Sequence, residues 1–356
     1  MWTGRAAGLL AILTVGFLLR VWGIDFGLPH EYCRPDETIL MYRALSIGAG
    51  DFNPHFFNYP SLQFYFVAVA IGLTFLIGQG LGYFIDLTDL QRLLFVDPTF
   101  FYIVGRSLTV LFGTSSIALV YSIGSRLESR RVGFASAALF AVAFLHVRDS
   151  HFLTVDVPAT FWVLAAYAAA CRYIERESLA TVVLAGVCIG LAASTKYNAA
   201  LFAPSILLAT FVTSVSAAGV VASRLALIAS ALKAKWKHLA AVTGAAAASF
   251  VAGSPFTLLE PTAFVRDLSF ERTMFAVGRG LDLGLGWIYH LKVSLWSGLG
   301  WPLLLAALAG CGFLAVRRRP IDIVLVSGIV AYYAVAGSGR SVFVRYMVPL
   351  IPPSSV

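Results

Sequence analysis

Long apolar runs recur along almost the whole of this 356-residue chain, and no other feature limits its fold as strongly. They lie at residues 6–24, 61–85, 99–125, 132–147, 157–174, 179–195, 198–215, 239–253, 293–316 and 321–337, and a last one opens near Tyr346. Crossing a bilayer takes roughly 20 apolar residues, and a soluble core has no use for so many such runs. Backbone amides in lipid must be satisfied within their own segment, so the runs are helices. Only 12% of the residues are charged, about half the 25% usual in soluble domains. The chain therefore reads as an all-α, polytopic transmembrane protein, a single domain over residues 1–356.

Charge decides how the runs thread the membrane. The net charge of +8 is scattered over short loops, as positive-inside bias would leave it, and does not form the basic face that a nucleic acid would need. If 61–85 spans, Asp36 and Asp156 fall on opposite faces, and the basic loops 126–131 and 317–319 face outward. If it lies along the interface, the two acids share one face and the basic loops all become cytoplasmic. The second arrangement obeys the bias and is preferred. It leaves about 10 spans, a cytoplasmic N-terminus, a first outer loop over 25–98 and a second over 254–292. The first run contains Arg20 and lacks a small-x-small cleavage site, so it reads as a retained anchor. Cys33, Cys171, Cys188 and Cys311 show no paired spacing, which implies neither a disulfide framework nor a zinc site.

Within that frame the polar residues stand out. Cys33-Arg34-Pro35-Asp36-Glu37 follows the first run, and Pro35 opens a helix over 36–46 that ends at Gly48 and Gly50. Asp36 and Glu37 sit in its first turn, where they could simply serve the helix dipole. Charges at a membrane edge, however, usually have a task. Between Val147 and Pro158 come Arg148, Asp149, Ser150, His151, Thr154 and Asp156. On its own that loop could be a hydrated turn with Arg148 paired to Asp149 or Asp156; the topology brings it to the face of Asp36. Lys196 interrupts an apolar hairpin on the same face, where it either snorkels or meets an anion. Arg340 and Arg345 flank an outer turn, and arginines outside suit a phosphate through bidentate bonds. Residues 221–238 read instead as a cytoplasmic amphipathic segment attracted to anionic lipid.

Taken in order, Pro35-Asp36-Glu37, Asn58-Tyr59-Pro60-Ser61-Leu62, Gly105-Arg106, Ser150-His151-Phe152-Leu153-Thr154-Val155-Asp156-Val157-Pro158, Gly190-Leu191-Ala192 with Thr195-Lys196-Tyr197, Ser254-Pro255-Phe256 and Arg345-Tyr346-Met347-Val348-Pro349-Leu350 resemble the GT-C membrane glycosyltransferases. The branch they are most similar to is the bacterial one related to protein O-mannosyltransferases and aminoarabinose transferases. The resemblance covers nearly the whole chain, through the order and spacing of motifs that are individually unspecific. It implies transfer of a hexose or pentose from a polyprenyl-phosphate carrier to a glycan, protein or lipid acceptor, on the extracytoplasmic face of the cell membrane. It makes Asp36 the catalytic base, with Glu37 and Asp156 as catalytic partners, and it recasts 61–85 as a juxtamembrane helix of the first outer loop. Candidate substrate-binding residues are Tyr59, Arg106, Arg148, Asp149, His151, Lys196, Glu271, Arg272, Arg340 and Arg345. Some relatives use a divalent cation near the acids, and that possibility stays open here.

Two departures from the family pattern matter. Tyr59 stands where aminoarabinose enzymes often have a basic residue, which argues against that substrate pair. The chain also stops at Val356, a few residues into an expected span, so a truncated product is one expectation. A transporter or flippase would place ionisable groups near mid-span and show a hydropathy repeat; neither is visible. A non-catalytic scaffold would keep the fold without the reaction.

Overall fold

The computed structural model describes residues 2–217 and 224–355, and among them the regular structure is helical throughout. In order come α1 (Trp2–Val21), α2 (Pro35–Gly48), α3 (Leu62–Gly80), α4 (Leu87–Val96), α5 (Thr99–Leu127), α6 (Arg130–Ala141), α7 (Phe144–Ser150), α8 (Asp156–Arg176) and α9 (Leu179–Thr195). They are followed by α10 (Ala203–Ala217), α11 (Arg224–Gly253), α12 (Phe256–Leu259), α13 (Pro261–Val277), α14 (Gly286–Tyr289), α15 (Trp296–Leu299), α16 (Trp301–Arg317), α17 (Pro320–Ser338) and α18 (Ile351–Ser354). Short 3-10 turns at Glu31–Cys33, Tyr197–Phe202 and Val344–Leu350 lie between them. The amphipathic segment expected at 221–238 falls partly outside the described residues and otherwise forms the start of α11.

Among the described residues, α3, α5, α8 and α17 are each long and apolar enough to cross a membrane, and the number rises to six if two bent helix pairs each count as one span. About ten were expected. The runs at 132–147 and 293–316 prove to be bent, by 58° between α6 and α7 and by 114° before α16. Others are short: α9 has 17 residues, about 26 Å of helix against a ~30 Å hydrocarbon core.

The helix α8 is the axis of the packing, with 72% of its apolar window buried against 39–44% for the other three. Its neighbour α9 meets α11 through glycine. A Cβ at Gly186 would lie 2.4 Å from Val242 O, and one at Gly190 2.2 Å from Ala246 O, so only glycine permits this approach. The buried core runs through α5, α8, α9 and α17 with Ile117, Val163, Tyr167, Ile189 and Val324.

The polar groups gather at the two ends of this bundle. About 30 Å of α5 separates Arg106 from Arg126. Arg106 marks an end rich in carboxylates, called here the acidic end, and Arg126 marks the basic end. Both termini of α3 lie at the acidic end. Ser61 N donates to Ser254 Oγ at 2.9 Å, and Ser254 Oγ donates to Ser194 O at the close of α9. Phe75, near the other terminus, packs on Phe84, and Phe84 packs on Phe100 in the first turn of α5.

Candidate active site

Pro35 opens α2 at a position where its missing N–H is no loss and its ring presets the helical φ. Asp36 and Glu37 follow in the first turn, where the helix dipole favours carboxylates. Successive helical residues diverge by about 100°, so the two side chains part at once.

Glu37 turns inward and is 1% exposed. Arg106 of α5 grips it as a fork, Nε to Oε1 at 2.9 Å and Nη2 to Oε2 at 2.6 Å, and Leu153 N also donates to Oε1. Arg106 Nη1 donates to Ile24 O and Phe26 O. This knot ties the end of α1, the start of α2, α5 and the turn before α8 into one piece. It engages Arg106, expected among the substrate-binding residues, with Glu37 and two carbonyls.

Asp36 turns toward a cleft, with its side chain 45% exposed. Its Oδ2 accepts a 2.6 Å bond from Arg345 Nη1, a residue from the far end of the chain on the Val344–Leu350 turn. Asp156, the first residue of α8, is buried and accepts a short bond from Lys196 Nζ, which also lies 5.1 Å from the centre of the Tyr346 ring. Asp36 and Asp156 thus stand on the same end of the bundle with Arg345 between their charges. Burial alone would push the Arg345 guanidinium down, but Asp156 and Asp36 together hold it above its ordinary value. Burial, and then the charge of Asp36, push the Tyr59 phenol up, so it stays a neutral hydroxyl beside the carboxylate.

The cleft has a volume of about 500 Å³. Arg34, Asp36, Arg148 and Asp149 line its polar side, and Leu283, Tyr289 and Phe343 its apolar side. Arg148 Nη2 donates to the buried Asp149 at 2.8 Å, and His151 Nδ1 lies 3.3 Å from Arg148 O. A depression of about 540 Å³ at the basic end, lined by Ser129, Arg130, Arg131 and Phe134, has no carboxylate in its wall.

The remaining expected residues sit around this centre. Glu271 of α13 accepts from Asn58 Nδ2 at 2.8 Å and from Arg279 Nη2 at 2.9 Å, while Asp267 and Glu260 of the same region hold Phe57 N and Asn53 Nδ2. These bonds brace the loop that carries Tyr59. Arg272 and Arg340 are exposed, and Arg340 is joined to α13 through its backbone N–H on Phe275 O. Among the described residues no three His, Cys, Asp or Glu side chains converge as a metal would require, and Asp36 and Asp156 each hold a cationic side chain instead.

Sequence reasoning missed Tyr332. Its hydroxyl donates to Tyr346 O at 2.8 Å and accepts from Asn198 Nδ2 at 3.0 Å, linking the turn after Lys196 to the turn of Arg345. No local signal marks it, since it lies in an apolar run of α17. It also left Arg34 without a role, although that residue adjoins the acidic pair.

Residues 102–252 match the dolichyl-phosphate-mannose-protein mannosyltransferase family, a stretch that holds Arg106, Asp156 and Lys196 but neither Asp36 nor Arg345. Comparison with curated protein sequences gave no match. Among solved structures, ArnT from Cupriavidus metallidurans bound to undecaprenyl phosphate aligns with a TM-score of 0.63 at 16% identity, covering 100% of this chain and 59% of that one. The Archaeoglobus fulgidus oligosaccharyltransferase in the apo form aligns at 0.62 and 15%, covering 99% and 49%. AglB from the same organism, in complex with an inhibitory peptide and a dolichol-phosphate, aligns at 0.61 and 14%, with the same coverage. The chain therefore spans about half to three-fifths of the length of these proteins. By its family match over residues 102–252 and by its fold over nearly all its length, it resembles the GT-C glycosyltransferases.

Proposed function

We propose that this chain moves a sugar from a polyprenyl-phosphate carrier to a hydroxyl-bearing acceptor, at the acidic end of the bundle. The observation that carries this reading is the meeting of Asp36 and Arg345 at a cleft with one polar and one apolar wall, with the charge of the buried Asp156 acting on Arg345 from behind it. A phosphate with a long isoprenoid tail has the same two faces. ArnT was solved with undecaprenyl phosphate and AglB with a dolichol-phosphate, which favours the same donor class here.

The acceptor hydroxyl is a weak nucleophile until a base takes its proton. Asp36, half-exposed on the cleft, receives that proton as the hydroxyl oxygen attacks the anomeric carbon. The bond from that carbon to the phosphate oxygen breaks, and the lipid phosphate leaves with the electron pair. One direct displacement inverts the anomeric centre. The leaving phosphate needs positive charge, and Arg345 has further N–H donors beyond the one given to Asp36. Lys196 is held ready by Asp156 one step deeper. Glu37 acts at a distance, by fixing the backbone from which Asp36 projects.

This reading places the acidic end on the extracytoplasmic face of the cell membrane and the N-terminus in the cytoplasm. The basic end with Arg126, Arg317 and Arg319 then faces inward, as charge bias requires. Tethering of both termini of α3 to the acidic end supports an interfacial helix. The test is turnover of undecaprenyl-phosphate-linked hexoses and pentoses by the purified protein in nanodiscs. Wild type should release sugar from the lipid, and Asp36→Asn should not while eluting as a folded monodisperse protein. Equal turnover by the two would overturn the assignment.

A further inference from the structure

Three arginines line the cleft, and two of them are matched to a carboxylate. Arg148 holds Asp149 and Arg345 holds Asp36, while behind the wall Arg106 holds Glu37 and Lys196 holds Asp156. Arg34 is the remainder: among the described residues no carboxylate lies within 4.0 Å of its guanidinium, and no side-chain hydrogen bond engages it. It is half-buried in the cleft wall two residues before Asp36. Its guanidinium carbon lies 3.6 Å from the centre of the Phe152 ring, a stacked position that holds the planar fork in place without using its N–H groups.

Such a group has a surplus charge and a surplus of directed donors. Burial, together with Arg148 and Arg345 nearby, depresses its pKa, and the charges of Asp149 and Glu37 pull the other way. Both of those acids are already claimed. An incoming anion would give a partner to the one guanidinium of the cleft wall that has none, and a tetrahedral phosphate oxygen pair matches the Arg34 fork.

Building on the function proposed above, we infer that Arg34 binds the phosphate of the lipid-linked donor, with Phe152 as the platform that orients it. Arg345 then remains on Asp36 when the cleft is empty, while Arg34, of the three arginines in the cleft wall, is the one free to meet the phosphate first. In this role Arg34 is a recognition residue, and it distinguishes a phosphorylated lipid from its alcohol.

The experiment measures binding of undecaprenyl phosphate, undecaprenol and inorganic phosphate to purified wild type, Arg34→Gln and Arg34→Lys in nanodiscs. Wild type should prefer undecaprenyl phosphate to undecaprenol. Arg34→Gln should lose that preference by roughly tenfold, the scale of one hydrogen bond to a charged group. Arg34→Lys should fall between, because an ammonium keeps the charge and loses the fork. A wild type that prefers the phosphate, with Arg34→Gln preferring it equally, would overturn the inference and leave the proposed function standing. A wild type blind to the phosphate would overturn both. Inorganic phosphate displacing the lipid at equal concentration would assign Arg34 to the free anion and overturn the lipid source.

Discussion

The two ends of the bundle use the same residue types in opposite ways. At the basic end, Asp322 of α17 is fully buried and accepts from Arg317 Nε, Arg317 Nη2, Arg319 N and Arg319 Nε. Glu128 accepts from Arg317 and Arg319 as well, and Arg319 also reaches Leu127 O. This network spends its acceptors on closing the α16–α17 turn against the end of α5. At the acidic end, among the described residues, Asp36 accepts a single bond from a side chain and stays half-exposed. A carboxylate whose lone pairs are filled holds a fold together, and one with lone pairs to spare can meet a substrate. The same contrast recurs between neighbours in the sequence, because Glu37 with its three donors belongs with Asp322 and not with Asp36.

The sharpest test of this division sets Asp36 against Glu37. Asp36→Asn should cut turnover by about 10²- to 10⁴-fold, the usual range for loss of a general base, with the melting temperature in detergent unchanged within error. Glu37→Gln should do the reverse in kind. It leaves the buried Arg106 with a neutral partner, and breaking a buried pair costs about 3–5 kcal/mol. The folded fraction should fall, and whatever folds should keep much of its turnover. A stable Glu37→Gln protein without activity would move Glu37 from the scaffold to the chemistry.

Much of this was legible in the chain, though unevenly. Pro35 at a helix start announced the acidic pair, and the charge bias of the loops alone predicts that Asp36 and Asp156 share one face. What pattern reasoning could not divide was the pair itself. Both acids suit a first turn equally, and the choice between them is made by Arg106, 69 residues away, whose fork reaches only one. For the same reason Arg106 stood among the candidate substrate-binding residues: a lone arginine in an apolar run looks free until its partner is placed. The bends at 132–147 and 293–316 were hidden because hydropathy measures a run's composition and not its axis.

Substitutions at the basic end should weaken the fold and spare the reaction. Asp322→Asn removes the charge that two arginines share and should lower stability by about 1–3 kcal/mol, read as a lower melting temperature. Turnover per folded molecule should equal wild type. A loss of turnover at equal folded concentration would mean that the two ends are coupled and that the division drawn here is too strict.

The smallest effect is expected where an ion pair at the basic end is exposed to water. Lys235 Nζ donates to Glu177 Oε2 at 2.6 Å between the α8–α9 turn and α11, and this bond holds the Glu177 carboxyl below its ordinary range. A depressed pKa means that the bond stabilises the fold above the unfolded glutamate pKa of about 4.3 and that this contribution is lost as pH falls through the folded value. Glu177 is 46% exposed in its side chain, so screening limits the gain to about 0.5 kcal/mol or less. Glu177→Gln should therefore melt slightly below wild type near neutral pH, with the gap closing in acid and in molar salt. A gap that persists under both conditions would show that Glu177 acts through packing and not through its charge, since its left-handed backbone position, φ 48°, strains glutamine equally and cancels from the comparison.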